Sequence, residues 1–583
     1  MACLGADGKP VVLGDKMMLM CTNNPDWLQW EIEFGRKGID QGADMVLVDT
    51  PMSSSFVSGF LRGGFCPHCM AGFRKYLEAK FTPEELQERF DVGEFDTSTI
   101  IKRLSPLQFL TDPKRRPFQD TTKDDLLFRE FVYCQEEASF RTRKLLAEAL
   151  REHARATGRQ VAFCTNAADL GTANPGGYWI RAIMFADLFD LFAYEQNYLP
   201  DGLPSPQMTR LPRGKWAAYH RLAYAIHHRR SPAVISANAM GELLKTVLLK
   251  GTTANVLTAV QSAEAYAANG AYIQFHVEPL TVGTTLLGKC WRESARIAGF
   301  VRSHRDLYEG ELGSGSSTAI VFLLNERGRT IPAVFPSYLG LAQALTEGNY
   351  PFDVLFGGDG RYVADRLTLA ELQRYGVVIV PSPIDPTENQ KSVINAFVKA
   401  GGTLVCQEPE RLGIERPTDL APAAGASCLA GRFEYGKGSV MVLKGRVTET
   451  WTDDVASNFF RTYDPKLRRE LCNLAEQLGL SSMVEGQAER LIGAFPVLQP
   501  ERKRLVIHLV NYDVDYDNDA IREKTDVTVK VLRPAFLSGE VRGQLYAPGL
   551  EEPRSLPVTV SDGAVACTLP RLAIAASVVL SAE

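Results

Sequence analysis

Two carboxylates close short apolar runs far apart in the chain: Asp49 after Met45-Val46-Leu47-Val48, and Glu195 after Leu191-Phe192-Ala193-Tyr194. Each run is short and apolar enough to be a strand buried on both faces, with a polar group at its C-terminal end. A pair of carboxyl groups flanking one bond is what cleavage of a glycoside requires. They stand about 5 Å apart for a retaining route and about 6.5–9.5 Å for an inverting one. Asp49 is the expected nucleophile, ionised and held by neighbouring donors. Glu195, beside Phe192 and Tyr194, is the expected acid, because less polar surroundings favour its protonated form. Either group has a structural alternative, Asp49 as a loop cap and Glu195 as a salt-bridged rim carboxylate. Glu278, just past His276, competes for the role of Glu195.

A sugar ring presents C–H faces and hydroxyls, so its recognition calls for aromatic platforms and hydrogen-bonding side chains. The expected substrate contacts are Asn166, Trp179, Tyr194, Asn238, His276 and Glu278. Trp179 follows the turn Asn174-Pro175-Gly176-Gly177, and the others lie at or near strand ends. Trp27 and Trp30, three apart after Pro25, are expected to pack a helix into the core. Cys66-Pro67-His68-Cys69 is the other chemical motif. A structural zinc site takes four nitrogen or sulfur ligands, and this segment offers three. A fourth would come from Cys21 or Cys164, both near strand ends. The alternative is a tight turn stabilised by reduced cysteines, and on that reading no metal or cofactor is expected. No Ser/His/Asp order, H-E-x-x-H or P-loop occurs.

The elements that position these residues follow from the hydropathy pattern. Over residues 1–312, strands Met17–Cys21, Met45–Asp49, Val161–Thr165, Leu191–Glu195, Ala233–Ser236 and Tyr272–His276 alternate with helical stretches. Apolar strands with polar C-terminal ends fit an α/β fold of (β/α)8-barrel type, whose active site sits on that rim. Six strands are clear and Asn255–Thr258 is a candidate seventh. The barrel is therefore expected to be incomplete at its N-terminal side, its edge covered by another element or a partner subunit. An insertion at about 51–158 carries a helix near Met70–Lys80 and a long helix over about Asp124–Thr157. After the linker Gly313-Ser314-Gly315-Ser316-Ser317, residues 318–450 read as a flavodoxin-like α/β domain. There Val377–Pro381, the helix Thr387–Ala400 and Gly402–Cys406 form a βαβ unit. Alternating strands within 485–583 read as a C-terminal antiparallel β-sandwich.

The 583 residues carry a net charge of −5, with 45% hydrophobic and 23% charged residues, an ordinary balance for a globular protein. That argues against a basic nucleic-acid-binding face, and the lack of any 18-residue apolar run argues against a membrane partner. The eleven cysteines are scattered and odd in number, and no leader pattern precedes them, so reduced thiols in a cytoplasm are expected.

The stretch Gly64-Phe65-Cys66-Pro67-His68-Cys69-Met70-Ala71-Gly72-Phe73-Arg74-Lys75-Tyr76-Leu77 resembles the cysteine-rich segment and following helix of the bacterial family-42 β-galactosidases and related barrel glycoside hydrolases. Val377–Cys406 is similar to part of the trimerisation domain of those enzymes. The resemblance implies a glycosidase of terminal galactoside- or fucoside-like sugars, a retaining mechanism and a homo-oligomer. Two departures stand out. Asp49-Thr50 occupies the place where those enzymes carry an Asn-Glu pair, and one C-x2-C stands where their zinc site uses several cysteines. Neither catalytic residue is transferred by the resemblance, and an inactive carbohydrate-binding or scaffold protein of the same layout is the alternative.

Overall fold

A computed structural model describes residues 2–13, 17–48, 56–57, 60–61, 63–108, 122–166, 182–195, 215–227, 233–236, 255–268, 270–273, 292–312, 316–324, 331–381, 386–422, 428–444, 465–485, 491–515, 518, 520–561 and 563–582. The chain is a mixed α/β protein that divides into two compact units, residues 1–194 with 453–458, and residues 195–452 with 459–583.

In the first unit, parallel strands Met45–Val48, Ala162–Asn166 and Leu191–Glu195 lie side by side in that order. Their apolar character matches their position: Phe163 and Cys164 are fully buried. Met45 and Leu47 of the outer strand are exposed, as an edge strand allows. Met17–Cys21, expected as another parallel strand, is different. Met17–Met18 pairs antiparallel with Val12–Leu13, and Ala2 bridges Met20, so the N-terminal residues make a small antiparallel meander. Three residues between the two strands are too few for a parallel crossover and enough for a hairpin.

The insertion is helical. Pro67–Lys80, Pro83–Phe90 and Thr97–Gln108 precede the long helix Lys123–Ala156, and the helix Pro25–Asp40 packs on that same long helix. Thr122 and Thr82 open their helices with reciprocal capping boxes to Asp125 and Glu85. Arg143 and Glu31 form an ion pair at 2.9 Å between the long helix and Pro25–Asp40. Trp27 and Trp30 stack with ring centroids 4.6 Å apart. Trp30 is 46% exposed, so it lies outside the core expected for it, on the solvent side of the helix.

In the second unit, Ala233–Ser236 pairs in parallel with Gly270–Ile273. Asn255–Thr258, a candidate strand by sequence, opens the 13-residue helix Asn255–Ala267. Its alanines at 259, 263 and 267 recur at helical spacing and are buried, a period that a four-residue window misses. Further on, strands Asp353–Gly357, Thr318–Leu323, Val377–Val380, Thr403–Cys406 and Gly438–Leu443 form a parallel sheet in that spatial order, extended by antiparallel Leu429–Tyr435. Numbered along the chain, the parallel strands run 2-1-3-4-5, one of the doubly wound orders. Towards the C-terminus a six-stranded and a three-stranded antiparallel sheet share one core, in which Ile507, Val527, Val565 and Val578 are fully buried. No helix among the described residues is long and apolar enough to cross a membrane.

Gly438 shows how closely the doubly wound sheet is packed. A β-carbon there would stand 2.1 Å from the Gly402 carbonyl oxygen and 2.3 Å from that of Val398. Both obstacles are backbone, so the sheet itself would have to move. Gly438→Ala is expected to destabilise this unit by about 3 kcal/mol. Gly376→Ala, which meets nothing closer than 3.8 Å, leaves the urea midpoint nearly unchanged. Equal midpoints for the two variants would refute the packing argument.

Candidate active-site rim and thiol cluster

The strand ends expected to carry the chemistry emerge on one edge of the parallel sheet in the first unit. Val48 lies in register with Thr165, and the Thr165 hydroxyl donates to the Val48 carbonyl at 3.0 Å. Asn166 lies in register with Ala193, two residues before Glu195. Backbone placement therefore sets Asn166, Tyr194 and Glu195 at the C-terminal ends of neighbouring strands. Their side chains, and residues Asp49, Trp179, Asn238, His276 and Glu278 altogether, lie outside the described residues. At the opposite end of the strands, the Asp190 carboxylate accepts the Phe163 N–H at 2.8 Å and pairs with Arg151, a structural role.

The described residues do bring one reactive constellation together. The sulfurs of Cys21, Cys66 and Cys69 form a buried triangle with edges of 3.3, 3.4 and 3.5 Å. Sequence left Cys21 and Cys164 as alternative companions of the C-x2-C pair. Cys21 occupies that place, while the Cys164 thiol donates to the Thr165 carbonyl at 3.8 Å. The His68 side chain is exposed on the first turn of its helix and lies outside the thiol group. Cys66 caps the 14-residue helix Pro67–Lys80, and Pro67 at the first position presets the helical turn that brings Cys69 back to it. The Asn23 side-chain amide donates to the Cys69 sulfur at 3.2 Å and to Gln135 of the long helix at 3.1 Å.

Packing three thiols this tightly separates their acidities. Hydrogen bonds from Cys21 and then Cys69, helped by the Cys69 and His68 backbone N–H groups, hold the Cys66 thiol far below the ordinary thiol range, at about 2. The hydrogen bond to Cys66 pushes Cys21 up to about 12, and bonds to Cys21 and Cys66 together with burial raise Cys69 as well. Three buried sulfurs packed this closely form a donor set that suits a soft cation.

Comparison with known proteins adds the family context. No protein-family model and no curated protein matches the sequence. Solved structures do match. A β-galactosidase from Bacillus circulans sp. alkalophilus is 12% identical, with 100% of this chain and 86% of that one covered and a TM-score of 0.59. A catalytic mutant of a family-42 β-galactosidase from G. stearothermophilus is 10% identical, covering 100% and 85%, with a TM-score of 0.58. The chain has a family-42 β-galactosidase-like fold. The α-L-fucosidase isoenzyme 2 from Paenibacillus thiaminolyticus shares this architecture at 13% identity, covering 100% and 84%, with a TM-score of 0.57. At such identities the likeness is one of fold.

The family-42 resemblance also implies a structural zinc on cysteines, and the donor set fits one. Tetrahedral zinc with bonds of about 2.3 Å separates its sulfurs by about 3.8 Å, so the triangle needs to open by only a few tenths of an ångström. Cys21, Cys66 and Cys69 would hold the ion. Its contribution would be cross-linking, since the group is buried and offers no open face to a substrate.

Proposed function

We propose that the chain is a glycoside hydrolase that removes a terminal galactoside- or fucoside-like sugar with retention of configuration. The observation that carries this reading is the match of the whole chain to glycoside hydrolases of two activities, β-galactosidase and α-L-fucosidase. Asp49 serves as nucleophile and Glu195 as general acid and base, each placed by sequence at the end of an apolar strand. Asn166, Trp179, Tyr194, Asn238, His276 and Glu278 bind the sugar. The same reading takes residues 1–312 as an incomplete barrel, 318–450 as a flavodoxin-like domain through which the chain forms a homo-oligomer, and 485–583 as a β-sandwich. It takes a cytoplasm as the place of work. Sedimentation as a monomer at micromolar concentration would refute the oligomer.

A panel of 4-nitrophenyl glycosides tests the activity: nitrophenolate release is expected from a galactoside or a fucoside. A second reading, a carbohydrate-binding or scaffold protein without catalysis, is favoured by Asp49-Thr50 standing where the resemblance calls for Asn-Glu. Inactivity on every sugar, alongside saturable sugar binding, would establish that reading and overturn the first.

A further inference from the structure

We infer that the outer side of helix Pro25–Asp40, together with the edge strand Met45–Val48 that follows it, is a docking surface for a second copy of this chain. The two copies meet about a two-fold axis, helix against helix and strand against strand, both antiparallel. This contact belongs to the first unit, so it involves none of residues 318–450 and is independent of any activity on sugars.

Helix Pro25–Asp40 has 16 residues, of which Ile39 is the one that is buried. Glu31 and Gly35 turn towards the long helix, through the ion pair to Arg143 and a fit so close that a β-carbon at Gly35 would stand 2.7 Å from Leu150. Trp27, Trp30 and Phe34 follow the spacing i, i+3, i+7, which sets them on another side of the helix as the apolar seam that one helix offers another. Trp30 and Phe34 are exposed, Phe34 at 66%. The Trp27 and Trp30 rings stack at 4.6 Å and those of Trp30 and Phe34 at 5.2 Å, with planes within 15° of each other. Their faces are largely turned on one another, which makes a ribbed stripe rather than the open platform that a sugar stacks on. Met45–Val48 is the outermost strand of its sheet among the described strands, so its outer row of backbone N–H and C=O groups is open to augmentation. Met45 and Leu47, which share one face of that strand, are exposed.

Topology, charge and area select a second copy as the occupant. The long helix leads into Ala162–Asn166, and helix Pro25–Asp40 leads through residues 41–44 into Met45–Val48. The two helices pack side by side, so Pro25–Asp40 is the outermost helix just as Met45–Val48 is the outermost strand. One two-fold axis at that corner therefore pairs both elements at once. Asp26 stands in the first turn of the helix and Lys37 in the last, both exposed and without an ion pair among the described residues. An antiparallel pairing centred between Trp30 and Phe34 sets Trp30 against Phe34 of the second copy. It also brings Lys37 of the second copy to Trp27 and Asp26, giving a cation–π contact and an ion pair on each side of the axis. A parallel pairing would instead oppose like charges. Trp30 and Phe34 expose about 250 Å² per copy, and Met45 with Leu47 brings the apolar surface to about 400 Å², the size at which a patch on a soluble protein marks association. At the apolar share of about 65% usual for paired copies, the contact totals about 1,200 Å², the lower end of specific interfaces, where micromolar affinity is expected.

Sedimentation of the full chain across the micromolar range tests the contact. The wild-type mass is expected to double with concentration, and Phe34→Glu, which puts a charge into the seam from an exposed position, should weaken that doubling on the order of 100-fold. Lys37→Glu should weaken it about 5-fold, and adding Asp26→Lys to the same chain should restore it, because the reversed pair matches again across the axis. Should residues 318–450 also assemble the chain, Phe34→Glu removes the doubling and leaves that assembly in place. Amide exchange supplies a readout that needs no variant: Met45–Val48 should exchange slowly in concentrated wild-type protein and fast on dilution. A wild-type mass that never doubles, a doubling that survives Phe34→Glu, or exchange of Met45–Val48 that ignores concentration would each overturn the proposal.

Discussion

Glu195→Gln is expected to lower turnover of sugars with poorly acidic leaving groups by about 10²–10⁴-fold, the range that a positioned general acid contributes. The form of the loss matters more than its size. In a retaining route the acid first protonates the departing oxygen and then, as a base, activates water against the glycosyl-enzyme ester. A nitrophenolate leaves without help, so Glu195→Gln should form the ester normally and stall at its hydrolysis. Rapid mixing then shows a burst of nitrophenolate followed by a slow steady state. Azide, which needs no deprotonation, should restore turnover and give a glycosyl azide of retained configuration. The basic limb of the pH–rate profile, assigned to the same carboxyl, should vanish. Asp49→Asn removes the attacking oxygen itself, so it should lose activity on every leaving group, with neither burst nor azide rescue. Wild-type rates in both variants would end the assignment, and a burst that appears in Glu278→Gln instead would transfer the acid to Glu278.

How far such residues can be placed from sequence depends on the range of the forces involved. Leu191–Glu195 was legible to the residue, because an apolar run ending in a charge reflects burial of the strand itself. Ala233–Ser236 was legible for the same reason. The helices Pro83–Phe90 and Thr97–Gln108 were not, since each buries only a narrow stripe, Leu86 with Phe90 and Ile100 with Leu104, inside an otherwise polar sequence. Trp30 was misplaced because three-residue spacing from Trp27 fixes a shared helix face but not which face meets the core. The thiol cluster marks the same boundary. The C-x2-C turn is local and could be read, whereas the choice between Cys21 and Cys164 depends on how an N-terminal meander docks beside a helix some 45 residues later, a tertiary fact.

Phe73→Ala is expected to be among the most damaging substitutions away from the rim, and its consequences should reach the thiols. Phe73 is fully buried on helix Pro67–Lys80. Its ring meets Phe131 of the long helix edge-on at 5.0 Å and Phe95 at 6.0 Å, and Phe131 in turn lies 5.1 Å from Phe65. Truncation leaves a ring-sized void lined by aromatic groups that belong to three different segments and cannot collapse together. The expected cost is about 3–5 kcal/mol in the first unit, read as a lowered urea midpoint. Phe73→Leu, which keeps most of the volume, should cost less than half of that. Arg74→Ala, on the exposed side of the same helix, should leave the midpoint where it was, because its partner Glu78 is also half exposed. Cys66 and Cys69 sit at the start of this helix, so a thiol reagent reaches them mainly when the helix lifts away. Losing 3–5 kcal/mol of anchoring raises the population of that opened state by two powers of ten or more. Under native conditions with chelator present, Phe73→Ala should therefore react with a disulfide reagent about 100-fold faster than wild type. An unchanged reaction rate together with a lowered midpoint would mean that the cluster opens independently of the helix, and the aromatic anchor would then have no part in guarding it.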